Sequence, residues 1–410
     1  MDIRPICSTL LRHKTAAGLI VLEVALTCAI ICNAVFMIGS RLERMQRPTG
    51  IAERELVRVT LAGIGADADA SARTEQDLAA LRAIPGVRYA AATNEVPLGG
   101  SSWNSGIRLT PDQKNDTTGA TNYLGTADLL ETLGVRLISG RDFLPEEYTD
   151  ARTVQSTSEE DTRVPSVIIT KSLADKLFPA GNALGQTLYI YGRNGHKVVG
   201  IIDTLLRPSE RGGDVAFNYS TIFPITVGYD VGGTYLMRVP DPSQRARVLQ
   251  AARAALNRVN PNRIILGTDT FDEIRAGYYQ NDRAMAWLLV VVCVALLVVT
   301  AFGVIGLASF WVAQRRRQIG IRRALGATRR QVLRYFQTEN FLLSSMGIVI
   351  GMLLAYGLNQ VLMTHYELPR LPLLYLPVGA LLLWALGQVA VLGPALRAAA
   401  VPPAVATRSA

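Results

Sequence analysis

QRRRQIGIRRALGATRRQVLR, residues 314–334, separates two long apolar runs, and eight of its residues are arginines: 315, 316, 317, 322, 323, 329, 330 and 334. Short loops on the cytoplasmic side of a membrane accumulate arginine, so the stretch implies a topology before any domain is recognised. The order of its residues adds a shape. Ile319, Ile321, Ala324 and Leu325 set apolar side chains among the cations at mixed helical spacing, which predicts a short helix with an apolar ridge flanked by arginine. Gly320 and Gly326 bracket that ridge, and Thr328 followed by Gln331 reads as a capping box opening a new helix into the next apolar run. A ridged basic helix across the mouth of two spans is shaped to dock against another protein.

Working outward, residues 284–313 and 341–363 flank this 314–340 loop as candidate spans, with 16–39 before them and 373–393 after. Each is long enough to cross a hydrocarbon core of about 30 Å at about 1.5 Å per residue. Four spans with the arginine loop inside place both termini (1–15 and 394–410) inside, residues 40–283 outside, and 364–372 as an outer turn. Arg41, Arg44 and Arg47 then sit on the outer side, against the simple charge rule, as a long translocated domain tolerates. Ile3, Ile6, Leu10 and Leu11 against Arg4, Arg12 and Lys14 read as an amphipathic helix on the inner surface, or as a plain basic flank. The run 16–39 is too long for the apolar region of a cleaved signal. It contains Glu23, which either marks a proton or substrate site or reaches Arg12, Lys14 or a neighbouring helix; a charge at mid-span costs roughly 2.5–3.5 kcal/mol. Gly347, Gly351 and Ala355 form a small-residue stripe that lets a partner helix approach closely.

The 410 residues, 49% hydrophobic and 18% charged, suit a membrane part joined to a substantial polar part. A net charge of +9 does not imply nucleic acid, because the densest arginine block is the interspan loop. Cys7, Cys28, Cys32 and Cys293 leave residues 40–283 without cysteine, hence without a disulfide framework, and His13, His196 and His365 show no zinc spacing. Within 40–283, Leu56 to Ile64, Ala72 to Ala83 and Val87 to Thr93 read as strand, helix, strand. Tyr235 to Val239, Pro242 to Val259 and Ile264 to Gly267 repeat the unit. Two such units flanking an insertion predict a split α+β sandwich of ferredoxin-like type, with halves at about 50–105 and 233–270 and an inserted subdomain at about 106–232. Asn194-Gly195 signals a hairpin, with His196 on its surface, and the polar, acidic stretch 144–163 reads as a mobile loop. Asp272 to Met285 reads as a helix running without interruption into the second span, a stiff lever.

The arginine loop resembles the coupling-helix motif of the MacB/FtsX family of ABC transporter permeases, where a basic run precedes Glu-Ile-Gly and then Arg-Arg-Ala-Leu-Gly-Ala. Here Gln318 stands in place of the Glu and removes a charge. Residues 121–143 and 167–203 resemble the family's periplasmic core domain through Thr132-Leu133-Gly134, Gly140 to Phe143, Leu177 to Pro179 and Leu184-Gly185-Gln186, and the tail from Gly393 resembles the family's ending. The resemblance implies a four-helix membrane protein with a large α+β periplasmic domain between its first and second helices, in a bacterial inner membrane. It implies a homo- or heterodimer above ATPase subunits that carry ATP and Mg, contacted through Arg317, Gln318, Ile319, Gly320, Ile321, Arg322, Arg323, Ala324, Leu325, Gly326 and Ala327. In efflux relatives a periplasmic adaptor and an outer-membrane duct complete the path. No Gly-x4-Gly-Lys-Ser/Thr, Gly-x-Ser-x-Gly or His-Glu-x-x-His pattern occurs, so this chain is expected to be no enzyme and to hold no cofactor or metal, with ATP hydrolysis on a separate polypeptide. Two other readings of the resemblance are an FtsX-like signalling protein regulating a cell-wall hydrolase and LolC-like lipoprotein extraction; the two-unit outer domain favours efflux over signalling.

Overall fold

A computed structural model describes residues 14–64, 67, 69–157, 163–210, 216–366 and 371–400. The predicted amphipathic segment, the middle of the 364–372 turn and the end of the tail lie outside the described residues. The first apolar run forms one helix, α1 (Lys14–Met45). It outlasts the predicted 16–39 span at its far end because Ser40 to Met45 carry no helix breaker.

The chain from Arg47 to Gln280 is one compact unit. It runs β1 (Leu56–Gly63), α2 (Ala70–Arg82), β2 (Tyr89–Thr93), β3 (Asn104–Ile107), β4 (Thr118–Leu124), α3 (Leu129–Leu133), β5 (Leu137–Gly140), β6 (Thr149–Asp150), α4 (Ala151–Ser156), β7 (Ser166–Thr170), α5 (Lys171–Leu177), β8 (Thr187–Tyr189), β9 (Gly195–Ile202), β10 (Ser220–Phe223), β11 (Ile225–Thr226), β12 (Thr234–Arg238), α6 (Arg245–Val259), β13 (Arg263–Thr270) and α7 (Phe271–Tyr278). Four strands pair antiparallel in the order β13-β1-β12-β2. That is the ferredoxin-like order, and its two strand–helix–strand units are the ones the hydrophobic periods mark out. Val57, Val59 and Leu61 alternate on β1 and are buried with Leu78 and Leu81 of α2 and Val248, Ala252 and Leu256 of α6. The pair Asp77 and Arg263, both buried, ties α2 to the start of β13, and the Tyr235 hydroxyl donates to Asp77 at 2.6 Å.

The insertion builds a mixed sheet, β3-β4-β10-β7-β9-β5, with β8 added on β9. Its helix α3 lies on β2 and β12, so the ferredoxin-like sheet is covered on both faces, and β12 is buried through Thr234 to Met237. Gly140 holds φ 82°, and a Cβ there would fall 2.2 Å from the Val199 carbonyl oxygen, which is why the Gly-Arg-Asp-Phe stretch needs its glycine. The stretch 144–163 departs from the reading of a mobile loop. Glu147 accepts a forked pair from Arg141 at 2.7 and 2.8 Å, Asp150 caps α4, and β6 pairs with β11; only 158–162 lie outside the described residues. The hairpin at Asn194-Gly195 forms, β8 against β9, but His196 is fully buried rather than on the surface. Its Nδ1 donates to the Val164 carbonyl at 2.6 Å, and its ring meets Tyr191 and Phe223 edge-on; burial pushes its pKa down, so it sits neutral.

The second unit joins α1 to α8 (Gln280–Gln314), α9 (Arg316–Ala324), α10 (Arg329–Tyr366) and α11 (Tyr375–Ala400). Among the described residues α1, α8, α10 and α11 are long and apolar enough to cross a membrane. The predicted uninterrupted run from 272 into the second span is broken at Tyr279, so α7 and α8 are separate helices. The small-residue stripe packs on α1. A Cβ at Gly347 would lie 2.8 Å from the Val24 side chain, one at Gly351 would lie 2.6 Å from the Ala25 carbonyl, and Ala355 is fully buried. Within the hydrocarbon, Thr27 and Thr300 share a hydrogen bond at 2.9 Å. Glu23 is half-buried against a neighbouring helix, α8, where only a glycine, Gly303, leaves room for its carboxylate. The outer arginines that offend the charge rule are neutralised: Arg41 and Arg44 pair with Asp282 at 2.5 and 3.7 Å, and Arg47 pairs with Glu210 at 2.8 Å within the α+β unit.

Candidate functional site

The loop between α8 and α10 is nearly all helix. Arg315 leaves helical geometry between α8 and α9, and its guanidinium turns inward. There Nη1 donates to both Glu339 oxygens, at 3.0 and 2.9 Å, and the group lies 5.6 Å from the Trp311 ring. Burying two charges is tolerable because each meets the other at hydrogen-bonding distance, and removing either would strand its partner. The pair therefore fixes where α9 starts. Arg323 donates to the Ala399 carbonyl at 2.9 Å, satisfying an orphan acceptor in the last turn of α11.

The far end of α9 is closed by a Schellman motif. The Ala327 N–H donates to the Arg322 carbonyl at 3.0 Å and the Gly326 N–H to the Arg323 carbonyl at 3.1 Å, with Gly326 left-handed at φ 98°. The capping box then forms as its residues suggest: the Thr328 N–H donates to the Gln331 side chain at 2.8 Å and the Gln331 N–H to the Thr328 hydroxyl at 3.3 Å.

Between these stops the ridge divides. Ile319 and Gly320 are buried, Ile319 in a cluster with Val304, Ala308, Val332, Phe336 and Ala395, so both belong to packing and not to an outer docking ridge. A helix touching a neighbour must turn some apolar side chain towards it, and Ile319 takes that place. Arg317, Gln318, Ile321, Arg322, Ala324, Leu325 and Gly326 are exposed, Leu325 at 83%, while Arg323 and Ala327 are half-buried. The exposed Arg322 lies 5.5 Å from the Tyr335 ring. The outer face is thus three apolar side chains, Ile321, Ala324 and Leu325, ringed by cations. The buried pair Arg315 and Glu339 escapes a reading of the sequence, since a run of arginines hides which one turns inward. One signal was available: Glu339 is the single acidic residue between 314 and 363.

In the α+β unit one carboxylate, among the described residues, stands apart from the hydrogen-bonded interior. Glu95 is 4% exposed and neither carboxylate oxygen has a hydrogen-bond partner among the described residues. Burial, offset only in part by the Trp103 amide and the Arg207 charge, pushes its pKa up to about 8. Its chemistry is that of a buried neutral acid. Histidine, cysteine and carboxylate groups form no metal-binding cluster among the described residues.

Four apolar helices carrying an α+β domain after the first, and a firmly seated basic helix between the second and third, define a four-helix membrane protein with a large inserted domain. A model of the MacB-like periplasmic core domain matches residues 25–255, more than half of the chain, and one of the FtsX-like permease C-terminal region matches 290–403. The chain belongs to the family of MacB-like ABC transporter permeases. It is 31% identical over 227 residues to the macrolide export ATP-binding/permease protein MacB of Chromobacterium violaceum, a match covering 54% of this chain and 35% of that protein. It is 27% identical over 277 residues to the uncharacterized ABC transporter permease YvrN of Bacillus subtilis, covering 65% of this chain and 67% of that one. The crystal structure of the periplasmic region of MacB from Actinobacillus actinomycetemcomitans matches at 12% identity with a TM-score of 0.35, over 57% of this chain and 97% of that one. The chain spans about a third of the length of the MacB proteins it matches.

Proposed function

We propose that this chain is the permease subunit of a MacB-type ABC transporter in a bacterial inner membrane. Both termini and α9 face the cytoplasm, and the domain between α1 and α8 lies in the periplasm. It works as a dimer with a separate ATPase that holds ATP and Mg, and exports substrate from the periplasm through an adaptor and an outer-membrane duct. The observation that carries this reading is the outer face of α9, where Leu325 is 83% and Ile321 45% exposed among arginines on a helix stopped at both ends. Apolar side chains held out into water on a rigid, cationic helix suit a socket on an acidic-rimmed partner. Because Arg315 ties α9 to Glu339 on α10, a push on that face is delivered to the spans instead of being absorbed by a slack loop.

The test is stimulation of a co-expressed ABC-type ATPase. Leu325→Asp leaves insertion and folding intact, because the side chain makes no core contact, and lowers stimulation at least tenfold. Unchanged stimulation rejects the docking face. Labelling of a cysteine placed at 325 by an impermeant reagent from outside intact cells rejects the topology.

A further inference from the structure

A second feature lies beside α9, on the side away from Leu325. The ends of α8 and α11 and the first residues of α9 enclose a cavity of about 330 Å³. Its buried floor is Ile319, Pro394 and Ala398, with Val312 half-buried beside them. Arg316 and Arg397, both exposed, line it from α9 and α11, and the exposed Ser309 hydroxyl lines it from α8. Neither arginine nor the serine takes a hydrogen-bond or ion-pair partner among the described residues, whereas Arg315 and Arg323 on the same turn and helix are both committed.

Depth decides what such a site takes. Val312 and Ala313 lie in the last turn of one apolar helix and Pro394 near the end of another, so in a bilayer the cavity would sit where hydrocarbon gives way to headgroups, with the two cations at the level of lipid phosphates. Proline at 394 has no N–H to give the preceding turn, which leaves the backbone there short of one helical hydrogen bond and favours a polar neighbour. An apolar floor with two unpaired cations and a hydroxyl matches a phosphodiester joined to acyl chains, and a water-borne anion would make no use of the floor. We infer that this cavity is a binding site for an anionic phospholipid, its phosphate held by Arg316, Arg397 and Ser309 and its chains leaving along α8 and α11. The site goes beyond ATPase docking, since Ile321 and Leu325 do not line it.

The test titrates the full-length, detergent-solubilised chain with phosphatidylglycerol and with phosphatidylcholine and counts retained lipids by native mass spectrometry. Wild type retains phosphatidylglycerol in preference. Arg316→Gln with Arg397→Gln weakens that retention about tenfold or more, while Arg329→Gln with Arg330→Gln, the same charge taken from exposed positions outside the cavity, leaves it unchanged. Ala398→Leu keeps both arginines, fills the floor and also weakens retention. The inference is overturned if wild type shows no preference, if the 329/330 variant loses as much as the 316/397 variant, or if millimolar inorganic phosphate displaces the lipid. Loss of ATPase association in the 316/397 variant with lipid retention intact overturns it in favour of a protein contact.

Discussion

In the stretch 314–334, between the apolar cores of the second and third long helices, Arg316, Arg317, Arg322, Arg329 and Arg330 are exposed, whereas in the α+β domain Arg207 and Arg263 are among the most enclosed side chains. The same residue type answers to different constraints in the two regions. In the loop, cations are placed by the membrane, which penalises their transfer and so collects them on one side; no particular partner is needed. In the domain the enclosed Arg263 is admitted with an acid at contact distance, Asp77. Arg315 is an instructive exception, an interspan arginine that is buried like those of the interior and finds Glu339.

The sharpest way to break this contrast is Arg263→Leu, which leaves the buried Asp77 without its cation and with the Tyr235 hydroxyl alone. Chemical unfolding of the α+β domain should show a loss of about 3–5 kcal/mol, and a loss under about 1 kcal/mol would mean the interior cations are as dispensable as exposed ones. Next comes the division of α9 into an inner and an outer side. Ile319→Ala should cost about 2 kcal/mol in thermal unfolding of the full chain, while Leu325→Ala stays within about 0.5 kcal/mol; equal costs would erase the division.

A finer test uses pH. Glu95 has its folded pKa raised to about 8, above its unfolded value, so the folded state holds the proton more tightly. Its contribution is fully present below the unfolded pKa and is lost as pH rises through the folded one, at up to about 1.4 kcal/mol per pH unit. Glu95→Gln should therefore be more stable than wild type at pH 8 and indistinguishable from it near pH 4. His196 works in the opposite sense: its depressed pKa contributes stability above the unfolded value that is lost on acidification, so the pH slope of Glu95→Gln isolates one acid from the other.

Much of the architecture was legible. The alternation in Leu56 to Gly63 and the 3.6-residue period in Arg245–Val259 state which face of each element is apolar, and two such units with one order of pairing leave few sheets to choose from. The Thr328 box and Gly326 were legible because caps are local, their partners lying within three to five residues in the chain. His196 misled, since a hairpin position says nothing about what packs over it; Val164, Tyr191 and Phe223 do.

Local chemistry thus sufficed to name spans, caps, the arginine elbow and the two strand–helix–strand units, because hydrophobic period and side-chain hydrogen bonding act over a few residues. Which side of α9 is free, which arginine is sheltered, and where a carboxylate lies without a partner were settled by contacts between residues far apart in the chain, such as Asp77 with Arg263. Burial and pairing are properties of what arrives from elsewhere, and one strand of sequence does not carry that.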